Sequence, residues 1–285
     1  MRLDDERQSS NVEDARGGGG GGFGVGRLGI GGVVIALVVS YFSGLSPSTV
    51  LNLMSGATPT TQSAPAHAPP ANDPMATFVS KVLADTEDTW QVIFRESNRD
   101  YRDPKLVLFT QAIPTACGTG QSAMGPFYCP QDEKVYIDLS FYQELRDRFQ
   151  APGEFAEAYV IAHEVGHHVQ KLLGISEKVR SAQERGNEQQ ARALSVRLEL
   201  QADCFAGVWA KRADTMRHII EPGEVDQALN AASAIGDDRL QKQSRGYVTP
   251  ETFTHGSSAQ RVSWFSRGMQ AGDPAKCNTF EAASL

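Results

Sequence analysis

Cysteine is scarce in this chain. There are four in 285 residues, and no two stand in the C-x-x-C spacing from which small zinc modules are built. That argues against a cysteine-held metal. Positive charge is scarce as well: 27 Lys and Arg face 34 Asp and Glu, giving a formal charge of −7 with no basic stripe, which excludes a nucleic-acid partner. There are no internal repeats. Long apolar runs are nearly missing too, so the uncharged apolar stretch at residues 28–45 stands out.

That stretch has 18 residues, enough to cross a bilayer. Its flanks cannot form a core. Residues 17–22 are six consecutive glycines, and residues 57–71 are rich in Ala, Pro, Thr and Ser. Polar and glycine residues precede the stretch, and no small-x-small cleavage site follows, which argues against a signal peptide. Arg2, Arg7, Arg16 and Arg27 lie before it, and the next basic residue is Lys81. Positive-inside logic therefore predicts a cytoplasmic tail over 1–27, a single transmembrane helix over 28–45, a linker over 46–72 and an extracytoplasmic domain over 73–285. The lipid bilayer becomes one partner.

All four cysteines follow the apolar stretch, in what would be an oxidising compartment. Cys117 with Cys129 would close a short Gly/Pro loop, and Cys204 with Cys277 would tie the C-terminal tail to a helix. Free buried thiols are the alternative. From residue 73 the pattern reads as α+β. Asp73-Pro74 starts a helix that ends at Asp103-Pro104. Strands follow at 106–109, 127–128 and 135–139, and beyond Phe141 the pattern is almost wholly helical.

The chemistry sits at residues 163–167, His163-Glu164-Val165-Gly166-His167. Phe155, Ala158, Tyr159, Ala162, Val165, Val169 and Leu172 recur at helical spacing around it, so the two histidines share one face and can share one metal ion. Glu164 reaches the open side, where water would sit. His168 points about 100° away and cannot replace His167. A third ligand has to come from elsewhere. In a second helix over 188–211, Glu199 and Asp203 share a face within an alanine-rich apolar stretch, where acids need partners. One of them can bind the metal while the other steadies a histidine ring.

The run His163-Glu164-Val165-Gly166-His167-His168-Val169-Gln170, with Glu199-Leu200-Gln201-Ala202-Asp203, resembles the gluzincin pattern. More narrowly, the chain resembles the membrane-anchored neutral zinc metallopeptidases of bacteria. The likeness extends from Asn11-Val12-Glu13-Asp14 to Lys276-Cys277-Asn278-Thr279-Phe280. It implies a mainly helical zincin-like domain with a small β-sheet and one Zn2+ per chain, bound by His163, His167 and Glu199. It further implies Glu164 as catalytic base, Asp203 as partner of a ligand histidine, and a peptide or protein substrate. His255 resembles the downstream histidine of related membrane gluzincins, a transition-state donor, although Gly256 follows where those often carry proline; a helix-capping or surface histidine is the alternative. Arg261 reads as a structural ion-pair partner, and residues 120–128 read either as a loop and edge strand beside the cleft or, equally, as a disulfide-stapled turn. Two other readings stand against the peptidase: a non-catalytic zinc-stabilised scaffold, and a metal hydrolase of a non-peptide amide.

Overall fold

The computed structural model describes residues 1–17 and 67–285. The predicted span at 28–45 lies outside the described residues. Among those described, no helix is long and apolar enough to cross a membrane.

The first long helix, α1 (Pro74–Glu96), begins as expected. The Asp73 side chain accepts from the Ala76 N–H at 3.0 Å, and Pro74 takes the first turn, where no N–H partner is needed. Four strands, β1 (Val12–Asp14), β2 (Lys105–Phe109), β5 (Phe127–Cys129) and β6 (Lys134–Asp138), form one sheet in the order β1-β2-β6-β5. The β1–β2 and β2–β6 pairs are parallel and β5–β6 is antiparallel. A separate hairpin pairs β3 (Ala112–Thr115) with β4 (Gly118–Gln121). The helices α2 (Ser140–Asp147), α3 (Glu154–Leu172), α4 (Ile175–Arg185), α5 (Glu188–Arg217), α6 (Glu224–Ala234), α7 (Asp237–Arg245) and α8 (Ser258–Ala271) follow. The α+β expectation holds, with a small sheet and a helical bulk.

Residues 1–14 correct the expected separation of the 1–27 tail from the domain. Met1–Asp14 and residues from Ala68 onward form one compact unit. Leu3 and Val12 are buried in its core, and Val12, Glu13 and Asp14 register with Leu106, Val107 and Leu108. The docking is polar as well. The buried Glu87 of α1 accepts from Arg7 (2.7 Å), Ser9 (2.6 Å) and Asn11 (2.9 Å). Arg7 also pairs with Asp88 at 2.8 Å. A three-residue strand in a polar, glycine-rich stretch gives no periodicity to read, because its stability comes from partners about 75 to 95 residues away.

The disulfides form as expected, Cys117–Cys129 and Cys204–Cys277. The helical core is unusually close in places. A Cβ on Gly268 of α8 would fall 1.9 Å from the Cys204 carbonyl oxygen, and one on Gly207 of α5 would fall 2.1 Å from that of Phe265. Only glycine permits this approach of α5 to α8. Buried Asp85 joins α1 to α5 by accepting from Trp209 and Arg217, both at 2.6 Å.

Candidate metal centre

Helix α3 carries His163, Glu164 and His167 into a cleft, and α5 crosses it with Glu199 and Asp203. Gly166, the fourth residue of the H-E-x-x-H, makes the crossing possible. A Cβ there would lie 3.0–3.3 Å from the carbonyl oxygen, Cα and Cβ of Ala202. The two helix backbones thus meet one residue from His167 on α3 and three residues from Glu199 on α5.

That approach brings one ligand atom each from His163, His167 and Glu199 within 4.8 Å of one another. Nε2 of His163 lies 3.2 Å from one Glu199 oxygen, and Nε2 of His167 lies 3.4 Å from the other. The opposite edges of the rings are occupied: Nδ1 of His163 bonds Asp203 at 2.8 Å, and Nδ1 of His167 bonds Gln170 at 2.9 Å. Both Nε2 atoms are therefore turned toward the shared point. Two imidazole nitrogens and one carboxylate, with one side facing a cleft of about 690 Å³, form a donor set that fits catalytic zinc.

The electrostatics agree. Burial disfavours a charged His163, but Asp203 and Glu199 outweigh it and push its pKa up to about 10. His167 is raised in the same way, burial being overcome by Glu199. Burial opposes ionisation of Glu199, yet the two imidazoles hold it well below the usual carboxylate range. Such a site favours positive charge at the two ring nitrogens, whether carried by a proton or by a metal cation. Glu164 behaves differently. It lines the same cleft, and burial raises its pKa above the usual range despite the neighbouring histidines.

The match to known proteins is direct. Residues 1–280 fit the family described as "Putative neutral zinc metallopeptidase". The chain belongs to that family. It is similar to the uncharacterized protein YpfJ of Escherichia coli strain K12, 51% identical over 98% of this chain and 99% of that protein. It is also similar to the uncharacterized protein Rv2575 of Mycobacterium tuberculosis, 44% identical over 73% of each. No solved structure matches it.

Around this candidate metal centre, the structure shows partners that the sequence pattern left unread. Tyr159, expected only as an apolar helix residue, donates its hydroxyl to Asp203 at 2.5 Å. Arg261 grips both Asp203 oxygens at 2.9 Å, as the ion-pair reading anticipated. Asp237 is a second unread residue. One of its oxygens accepts from the backbone N–H of Thr254, His255 and Gly256 at 2.7, 2.6 and 3.1 Å, and the other lies 3.2 Å from Nδ1 of His255. His255, about half exposed, lines the same cleft as His163, Glu164 and His167. Carboxylates that grip a distant loop carry no spacing signal, so only Asp237's place at the start of α7 could have drawn notice.

His168 is fully buried. Its Nε2 donates to the Arg102 carbonyl at 2.6 Å, which leaves Nδ1 to accept from Tyr128 at 2.9 Å. Burial lowers its pKa, in keeping with a neutral ring. It pins edge strand β5 to α3, so Phe127 and Tyr128 line the cleft.

Proposed function

We propose that this protein is a zinc-dependent peptidase in which His163, His167 and Glu199 hold the metal and Glu164 is the general base. The observation that carries the reading is the convergence of the two Nε2 atoms and the Glu199 carboxylate beside Glu164 in one open cleft. When bound, zinc supplies Lewis acidity, acidifying water and polarising a carbonyl. Glu164 takes a proton from the attacking water and returns it to the leaving amine, work suited to a carboxylate whose pKa burial has raised. Asp203, fixed by Arg261 and Tyr159, holds the Nδ1–H of His163 so that Nε2 faces the metal. His255, oriented by Asp237, donates to the carbonyl oxygen as charge gathers on it. An extended peptide would add to the free edge of β5, beside Phe127 and Tyr128.

A purely structural zinc site has no use for a buried carboxylate aimed at an open side, which disfavours the scaffold reading. The decisive comparison is cleavage of a diverse peptide library by wild type and Glu164→Gln. Wild type should cut and the variant should be slower by about 10²–10⁴ while keeping its zinc. Equal rates would remove the base assignment, and cleavage of non-peptide amides alone would transfer the site to that class.

We also propose an extracytoplasmic location, supported by the two disulfides. Association with a bilayer through residues 28–45 belongs to the same reading, with one change. Hydrogen bonding of β1 to β2 supports a common compartment for Met1–Asp14 and the domain, in place of the cytoplasmic N-terminus first expected.

A further inference from the structure

His163 is steadied by a carboxylate, but His167 is steadied by an amide. Gln170, one turn further along α3 and fully buried, presents Oε1 to Nδ1 of His167 at 2.9 Å. Its Nε2 donates to the Leu198 carbonyl at 2.7 Å and to Oε1 of Gln201 at 3.2 Å. Gln201, also buried, donates in turn to the Cys277 carbonyl at 3.0 Å. Cys277 is disulfide-bonded to Cys204, three residues beyond Gln201 on α5.

The direction of every bond in this chain is fixed by its ends. A backbone carbonyl can only accept. The carbonyls of Leu198 and Cys277 therefore require the amide nitrogens of Gln170 and Gln201 to face them. Gln201 then turns its oxygen to Gln170, and Gln170 turns its oxygen to His167. An oxygen there requires a proton on Nδ1 of His167, which leaves the Nε2 lone pair for the metal. Leu198 immediately precedes Glu199, so the same amide also ties the His167 ring to the backbone beside the third ligand.

We propose that Gln170 is the positioning residue for His167, setting its tautomer and its angle. Gln201 and the Cys277 carbonyl hold Gln170 in register. The inference rests on the zinc reading of the site but not on peptide cleavage. Neither glutamine touches a reacting atom, so their effect is on how tightly the metal is held.

The test is zinc affinity of the full chain by chelator competition, together with ring-nitrogen NMR of His167 in the metal-free protein. Gln170→Leu should lower zinc affinity about 10–100-fold and abolish the slowly exchanging Nδ1–H signal that wild type shows. Gln170→Glu keeps an acceptor for His167 and should retain that signal, recovering part of the affinity. Gln201→Leu, which leaves the contact to His167 in place, should cost a smaller, several-fold loss and remains informative if Gln170→Leu does not fold. Wild-type affinity in both leucine variants would overturn the proposal, as would an unchanged Nδ1–H signal in Gln170→Leu. A wild type that binds zinc yet cuts nothing would refute the peptidase reading alone, whereas a wild type that binds no zinc would overturn both.

Discussion

Gly166 rests directly on the backbone of Ala202, and this contact sets the distance between the two ligand-bearing helices. A methyl group at 166 would meet the Ala202 carbonyl oxygen at 3.0 Å and its Cα at 3.1 Å. Two backbones would have to part by a few tenths of an ångström, with His163 and His167 on one and Glu199 on the other. Gly166→Ala gains about 0.5–1 kcal/mol in helix preference but overpacks at a cost of about 1–3 kcal/mol. We expect a net loss of stability together with weaker zinc binding, both larger in Gly166→Val. Ala202→Gly removes only the Cβ contact at 3.3 Å and should rescue little. Undiminished zinc affinity in Gly166→Val would show that the spacing is not set here.

His255 should govern the alkaline side of activity. Its hydrogen bond to Asp237 raises its pKa, with burial opposing and Glu199 assisting. A donor that must carry its proton is competent below that raised value and fails as pH rises through it. The rate should therefore fall on the alkaline side, and Asp237→Asn should move the fall to lower pH. His255→Ala should reduce kcat about 10²–10³-fold with zinc affinity unchanged. An unaltered profile in both variants would show that His255 is not the donor.

The legible part of the site was the part written in helical spacing. His163 and His167, four apart, and Glu199 and Asp203, four apart, each declare a shared face, and an acidic pair in an apolar helix asks for partners. The disulfides were legible from loop chemistry. What stayed hidden depends on contacts with no local period: Asp237 beneath the 254–256 backbone, Tyr159 reaching Asp203 from an apolar stripe, and Gln170 between two helices. Strand β1 stayed hidden for the same reason, since Arg7, Ser9 and Asn11 read as tail residues until Glu87 gathers them.

Glu13 makes the docking of β1 sensitive to acid. It bonds Lys105 at 2.9 Å and Lys134 at 2.7 Å. Burial opposes its ionisation, but the two lysines prevail and its pKa is lowered. A depressed carboxylate stabilises the fold above its unfolded pKa, and that stability is lost as pH falls through the folded value. Because Lys105 is about half exposed, solvent screening limits the gain to about 0.5–1 kcal/mol. Glu13→Gln should therefore lower the melting temperature by about 1–4 °C at pH 7. The difference should vanish below the range in which Glu13 ionises. A gap that persists undiminished in acid would point to packing and exclude the ion pairs as its cause.

The N-terminus should lie on the same side of a membrane as the domain. Hydrogen bonds between strands cannot span a bilayer, so a chain that crossed it once between residues 17 and 67 could not pair Val12–Asp14 with Leu106–Leu108. Arg7, counted at first among the residues that hold a tail in the cytoplasm, is instead paired with Glu87 and Asp88 of the domain. Single cysteines at exposed Gln8 and, as a domain reference, exposed Glu184 test this directly. In spheroplasts, a membrane-impermeant maleimide should label Gln8→Cys and Glu184→Cys alike. If Glu184→Cys were labelled in intact spheroplasts and Gln8→Cys only after lysis, β1 could not be part of this sheet in the cell. A single crossing with a cytoplasmic N-terminus would then be restored. Weakening the strand by Glu13→Lys, which sets a third cation beside Lys105 and Lys134, supplies the control. It should disturb the docking and the melting temperature without moving the labelled site to the other side.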